Sequence, residues 1–313
     1  MLISFVLPCY NEAENVRPMH DWIVETMQSS GFDYEMVFVD DGSRDETYAK
    51  LKEIYQTTAA HVRVVRFSRN FGKESAIFAG LQYAAGDIVT LIDADLQQSP
   101  VLAREMAEFL RDNDAYDCVA AFQSQRREGK VTAFLKNGFY KLMNRVTEIE
   151  FVQGASDFRT MRRSMVDAIL SMTEHNRFSK GIFSWVGFAT RYVPYVPEDR
   201  HAGSTKWNTW KLFKYAFDGI VSFTTMPLRL SAFAGVAAAL GSLVYMLVII
   251  IQKICFGIAV PGYATLVVLI LLLGGIQLFG MGILGEYLAK TYVESKRRPI
   301  YLAREILDSS SLR

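Results

Sequence analysis

Two carboxylates stand two residues apart in Asp93-Ala94-Asp95, and Gln97 follows two positions later. The run before them, Gly86-Asp87-Ile88-Val89-Thr90-Leu91-Ile92, is apolar enough to read as a buried strand. In extended chain, side chains at i and i+2 point the same way, so the pair faces one crevice where the strand stops. Two such groups need a counter-charge. A hard divalent cation that keeps some of its waters and also takes the oxygens of a substrate diphosphate is the natural partner. The plainer alternative is an acidic turn that simply ends a strand.

The elements that would position the pair can be read in order. Short apolar runs at residues 3–7, 36–39, 62–67, 88–92 and 118–122 read as buried strands, separated by helical stretches near 13–29, 45–56, 73–85 and 100–111. This alternation predicts an α/β fold, a mostly parallel sheet with helices on both faces. Ligands of such sheets sit beyond the carboxyl ends of the strands. Polar clusters fall at those ends: Pro8-Cys9-Tyr10-Asn11-Glu12, Asp40-Asp41-Gly42-Ser43, Asn70 to Lys73, and Asp93-Ala94-Asp95. One cluster is ordinary loop polarity; several at equivalent ends describe a site. No G-x-G-x-x-G or G-x-x-x-x-G-K-[ST] follows these strands, which argues against a dinucleotide dehydrogenase and a P-loop NTPase. Phosphates must then be neutralised by metal and basic side chains.

The formal net charge is +1 over 313 residues, so charge does not suggest a nucleic-acid partner. Cys9, Cys118 and Cys255 are far apart and fit reduced thiols better than a disulfide framework or a zinc site. The opening residues do not look like a signal peptide. Residues 230–251 and 254–285 carry no charged side chain. A membrane span needs about 20 apolar residues, so two spans are expected near 230–252 and 262–285. Lys206, Lys211, Lys214 and Arg229 precede them, Lys290, Lys296, Arg297, Arg298 and Arg304 follow, and the turn between has only Lys253. The positive-inside rule then puts both ends in the cytoplasm. Residues 131–146 and 206–224 are amphipathic, basic and aromatic. They read as core-facing helices or as helices lying in the lipid interface.

In order and spacing, these segments resemble the membrane-bound polyprenyl-phosphate glycosyltransferases of the GT-A fold, in glycosyltransferase family 2. That group includes bacterial undecaprenyl-phosphate (bactoprenol) glucosyltransferases and dolichol-phosphate mannose synthases. Besides the four clusters, the resemblance rests on Ser68-Arg69-Asn70-Phe71-Gly72-Lys73-Glu74, Asp93-Ala94-Asp95-Leu96-Gln97 and Ser156-Asp157-Phe158-Arg159. It continues through Lys180-Gly181, Trp185-Val186-Gly187-Phe188 and Arg200-His201-Ala202-Gly203-Ser204-Thr205-Lys206-Trp207. The two-helix tail is similar to the bactoprenol branch. Two loops depart from the usual pattern: Gln98-Ser99-Pro100 after the D-L-Q, and Thr205 between Ser204 and Lys206.

The resemblance implies roles. Pro8, Tyr10, Asn11, Glu12, Asp40, Gly42, Ser43, Lys73, Asp93 and Ala94 would bind the nucleotide sugar, with Asp40 on the base. A carboxylate suits the imide N–H of uracil and equally the N1–H and amine of guanine. Asp93, Asp95 and Gln97 would hold Mg²⁺ or Mn²⁺. Asp95, Asp157, Arg200 and Lys206 are the catalytic candidates. Arg126, Arg127 and Lys130, with Arg200, Ser204 and Lys206, would hold the acceptor phosphate; the first three read equally as an exposed basic loop attracted to anionic lipid. Asp157 is the family's usual base, but a phosphate monoester has a second pKa of about 6 and needs little deprotonation. Asp157 therefore reads as a positioning group as readily as a base.

The implied reaction is inverting transfer of a sugar, glucose from UDP-glucose first, to a polyprenyl phosphate. GDP-mannose, UDP-N-acetylhexosamine and UDP-aminoarabinose-type donors remain open. A processive polysaccharide synthase would need more spans, and a non-catalytic scaffold would not need this residue set. The expected layout is a cytoplasmic catalytic domain at 1–205, an interface segment at 206–228, two spans within 229–287 and a basic cytoplasmic tail at 288–313. The protein would lie in the inner (plasma) membrane, with a homotetramer plausible by resemblance only.

Overall fold

Runs such as Ile3–Leu7 and Met36–Val39 are apolar on both strand faces, as a parallel strand covered on both sides must be. They form the centre of an eight-stranded sheet in the computed structural model, which describes residues 1–28, 30–124, 154–198, 221, 224–256 and 262–309. The strands are β1 Leu2–Cys9, β2 Asp33–Asp40, β3 His61–Phe67, β4 Ile88–Leu91, β5 Cys118–Gln123, β6 Ala155–Arg162, β7 Thr190–Tyr195 and β8 Ala303–Asp308. Their order across the sheet is β7-β5-β6-β4-β1-β2-β3-β8. β4, β1, β2 and β3 run parallel; β6 pairs antiparallel with β4, and β8 antiparallel with β3.

The helices of this part are α1 Val16–Met27, α2 Thr47–Thr57, α3 Lys73–Tyr83, α4 Pro100–Asp112, α5 Arg163–Ser171 and α6 Ser179–Trp185. Alternation along β1 divides the core. Ile3, Phe5 and Leu7 pack with Met19 and Ile23 of α1, Leu51 and Ile54 of α2, and Met106 and Leu110 of α4. The even positions face α3, where a Cβ on Gly80 would stand 2.2 Å from Val6 Cγ1. That glycine lets helix and strand approach closely. The order in which strands are added to the sheet switches sides between the parallel strands β1 and β4, which opens a crevice at their carboxyl ends. Asp157, near the start of antiparallel β6, is brought to the same edge because Arg159 pairs with Leu91.

The chain divides into two compact units, Met1–Ala216 with Arg298–Arg313, and Phe217–Arg297. The second holds α7 Met226–Phe256 and α8 Tyr263–Ser295, both long and apolar enough to cross a membrane. They pack on each other: a Cβ on Gly280 would meet Ser231 Oγ at 2.8 Å. Tyr287 Oη donates to the Thr224 carbonyl at 2.6 Å. Phe233, Leu240, Leu271 and Phe279 remain exposed. An apolar surface of this extent is suited to lipid rather than water.

Residues 288–313, expected as one basic tail, are divided instead. Helix α8 continues to Ser295, and β8 joins the first unit's sheet. The amphipathic segment 131–146 and all but the end of 206–224 lie outside the described residues.

Candidate active site

The first two strand-end clusters are tied to each other. Asn11, at φ 56°, turns the chain after β1, a conformation asparagine tolerates better than most residues. Its N–H donates to Ser43 Oγ at 3.0 Å and its Oδ1 accepts the Arg44 N–H at 2.9 Å. The Glu12 N–H donates to Thr47 Oγ1 at 2.8 Å, and Asn15 Nδ2 donates to Glu12 Oε2 at 2.6 Å. Pro8 pairs in register with Val39, one residue before Asp40. The structure thus brings together Pro8, Asn11, Glu12, Asp40 and Ser43, with Tyr10 in the same loop.

Asp40 and Asp41 have different partners. Asp40 has no exposed surface. Its Oδ1 accepts the Ser43 N–H at 3.0 Å, whereas Oδ2 has no hydrogen bond and lies 3.8 Å from Arg66 Nε. Asp41 holds the loop after β3: Oδ1 accepts the N–H of Phe71 at 2.6 Å, and Oδ2 that of Gly72 at 3.0 Å. Burial pushes the Asp41 carboxyl up to about 6, against the pull of those two N–H groups. Gly42 has φ +65°, and a Cβ there would stand 2.4 Å from the Arg69 carbonyl carbon. Only glycine permits both the turn and the contact. Much of the second cluster therefore acts on the third, fixing the entry to α3 and its first residue, Lys73.

Lys73 is the hub of the site. Its Nζ lies 2.7 Å from Asp93 Oδ1, 3.0 Å from Asp93 Oδ2 and 3.1 Å from Asp157 Oδ2. One ammonium thus links the acidic pair after β4 to the carboxylate of β6. Burial lowers the Lys73 pKa, but Asp93 and then Asp157 outweigh it and raise it overall. Burial pushes Asp157 up, but Lys73, Lys180 and Arg159 outweigh that and bring it down to about 2. Gln98 completes the grip on Asp93: its Oε1 accepts the Asp93 N–H at 2.8 Å and its Nε2 donates to Oδ2 at 3.1 Å. Asp95 Oδ1 accepts the Gln97 N–H at 3.2 Å across Leu96, which sits at φ 63°. A bulky residue in that region is strained, and here it bends the chain so that Asp95 and Gln97 stay close.

Asp93, Asp95 and Gln97 offer only hard oxygen donors. Among the described residues no three of His, Cys, Asp and Glu group closely enough to hold a metal alone. An incomplete oxygen set fits a cation that keeps waters and takes its remaining ligands from a diphosphate.

Besides Gln98, three contributors were not singled out as site residues from the sequence. Glu74 accepts the Ser179 N–H at 2.9 Å and also the Ser179 hydroxyl, tying α3 to the start of α6. Arg159 donates to the Ser156 carbonyl at 3.0 Å and lies 3.7 Å over the Phe183 ring, backing the Asp157 segment. Asp41 was legible only as part of a turn. The signal available was their place inside the quoted motifs; their partners are far apart in sequence. Arg126, Arg127, Lys130, Arg200, Ser204 and Lys206 lie outside the described residues.

Residues 4–170 match Glycosyl transferase family 2. An uncharacterized glycosyltransferase of Synechocystis sp. is 42% identical over 305 residues, 97% of this chain and 95% of its own. The prophage bactoprenol glucosyl transferase homolog of Escherichia coli is 40% identical over 307 residues, 98% of this chain and 99% of its own. The bactoprenol glucosyl transferase of Shigella phage SfV is 40% identical over 305 residues, 97% and 98% of the two chains.

Proposed function

The chain belongs to glycosyl transferase family 2, and from that premise we propose that it transfers a hexose to polyprenyl phosphate, glucose from UDP-glucose onto undecaprenyl phosphate. One observation carries this reading. The likeness to two proteins named for bactoprenol glucosyl transfer spans at least 97% of this chain, and so covers both the strand-end carboxylates and the two apolar helices. The site chemistry supports it. Asp40 Oδ2, buried and without a hydrogen bond, suits a base N–H. Asp93, Asp95 and Gln97 suit a diphosphate-bound Mg²⁺ or Mn²⁺.

A phosphate oxygen of the acceptor attacks the anomeric carbon as the bond from that carbon to the diphosphate oxygen breaks. The sugar is inverted and the nucleoside diphosphate departs. When bound, the metal neutralises charge on the diphosphate. Arg200 and Lys206 are proposed to offset the charge developing on the leaving group. Arg126, Arg127 and Lys130, with Ser204, are proposed to hold the acceptor phosphate. Asp157 is proposed to orient the acceptor rather than to take its proton. A carboxyl held down to about 2 is a weak base at neutral pH, and a phosphate monoester is already mostly ionised there.

The topology of the chain supports a cytoplasmic catalytic unit. Residues before and after the two long helices belong to the same unit, as an even number of crossings requires. The flanking lysines and arginines favour the cytoplasm for that side.

The test uses the full chain in detergent with undecaprenyl phosphate, Mg²⁺ or Mn²⁺, and a panel of sugar nucleotides. UDP-glucose should give a lipid carrying one hexose. A faster reaction with GDP-mannose would sink the donor assignment, and no lipid product from any donor would sink the acceptor assignment.

A further inference from the structure

β8 follows the two apolar helices in sequence, yet it joins the sheet beside the strand that borders Asp40. The ties that hold it are specific. The Ser68 N–H donates to the Leu302 carbonyl at 2.9 Å. The Tyr301 ring stacks on Phe67 at 4.8 Å and its hydroxyl donates to Gln82 Oε1 at 2.9 Å. At the other end, the Arg63 guanidinium donates twice to Asp308 Oδ2, at 2.8 and 3.0 Å.

These ties set a register. Arg66 faces Asp40 across β2–β3 and Glu305 across β3–β8. Directly paired residues share a sheet face, so Asp40, Arg66 and Glu305 form a row of alternating charge across three strands. The ladder is irregular at the next step, between Arg66 and Phe67; such irregularities re-aim side chains near active sites. Tyr48 of α2 completes the row. Its ring lies 4.0 Å from the Arg66 guanidinium, and its buried hydroxyl makes no hydrogen bond; burial first, then the Glu305 carboxylate, push it up to about 12. Arg66 Nε stays 3.8 Å from Asp40 Oδ2, near enough for charge attraction and too far for a hydrogen bond.

We propose that Glu305 is a positioning residue of the donor site: paired with Arg66 across β3–β8, and with Tyr48 stacked on the same guanidinium, it holds Arg66 where the guanidinium balances Asp40 but leaves Oδ2 for the N–H of a nucleotide base. The segment beyond the membrane helices is then part of nucleotide recognition. This rests on the reading of Asp40 as the carboxylate that meets the base. Without Glu305, Tyr48 and Arg66 lose their outer anchor, and Arg66 closes on Asp40 and takes the oxygen itself.

The experiment measures UDP binding by calorimetry, and donor kinetics, on the full chain in detergent. The variants are E305A, Y48F and the double substitution, with the shape-conserving E305Q carrying the test if E305A melts early. E305A should weaken UDP about fivefold to tenfold and raise donor KM by a similar factor, with kcat changed less than about twofold. The double variant should be no weaker than the worse single one, because both act through Arg66. Wild-type UDP affinity in both Glu305 variants overturns the proposal, and so does an additive loss in the double variant. A wild-type protein that binds no UDP overturns the reading of Asp40 instead.

Discussion

Lys73 Nζ lies 2.7 Å from Asp93 and, on its other side, 3.1 Å from Asp157. The first carboxylate follows β4, the second belongs to β6, and the lysine opens α3. The site is therefore held by a charge shared among three elements, and the geometry of each depends on the other two.

Lys73→Met should leave two carboxylates facing each other without their cation. Asp157, now held at about 2, should titrate well above that value. Transfer should slow on the order of 100-fold, the usual scale for removing one electrostatic contact of a reacting centre. Initial rates and a pH titration of the variant check both; a rate within threefold of wild type would remove Lys73 from the machinery.

Asp157→Asn should also lose activity heavily, yet keep the wild-type shape of the rate profile between about pH 5 and 8, because the acceptor phosphate's own pKa near 6 sets that limb. A limb that vanishes with the substitution would restore Asp157 as the base. Stability has its own sign here. The folded Asp157 pKa is depressed, so its contribution is present above the ordinary carboxylate pKa and disappears as pH falls from about 4 towards 2. The melting-temperature gap between wild type and Asp157→Asn should change only within that acid window.

Asp41 has the opposite sign. Its folded pKa is raised to about 6, so its favourable contribution is complete below about 4 and is lost as pH rises through 6. Relative to Asp41→Asn, wild type should lose on the order of 2–3 kcal/mol of stability between pH 4 and pH 7. Melting curves of the two proteins across that range decide it; parallel curves would rule out the shift.

Gly42→Ala should cost on the order of 3 kcal/mol, because it forces a side chain into positive φ and against the Arg69 backbone. The displaced loop carries Lys73, so nucleotide binding should weaken in parallel with the melting temperature. An unchanged melting temperature would show that the loop yields freely.

The central strands were legible because they are buried on both faces and read as continuous apolar runs. The outer ones were not. β7 carries Arg191 and Pro194, and β8 carries Arg304, Glu305 and Asp308. Charge and proline are what protect an exposed edge, and they erase the pattern that marks a strand. In β6 the face that carries Asp157 and Arg159 belongs to the site itself. The site was legible as residue types at strand ends. The bridge of Lys73 between Asp93 and Asp157, and the hold of Asp41 on the loop after β3, needed the strand order that brings distant segments to one edge.

The place of β8 in the chain also imposes an order of events. A ribosome making this protein releases β1 to β7 first, then both apolar helices, and only afterwards the strand that pairs with β3. Until then the β3 edge has unpaired backbone groups and is a template for aggregation. The catalytic sheet can therefore close only after the apolar hairpin has been synthesised, so the last step of folding follows the delivery of the helices.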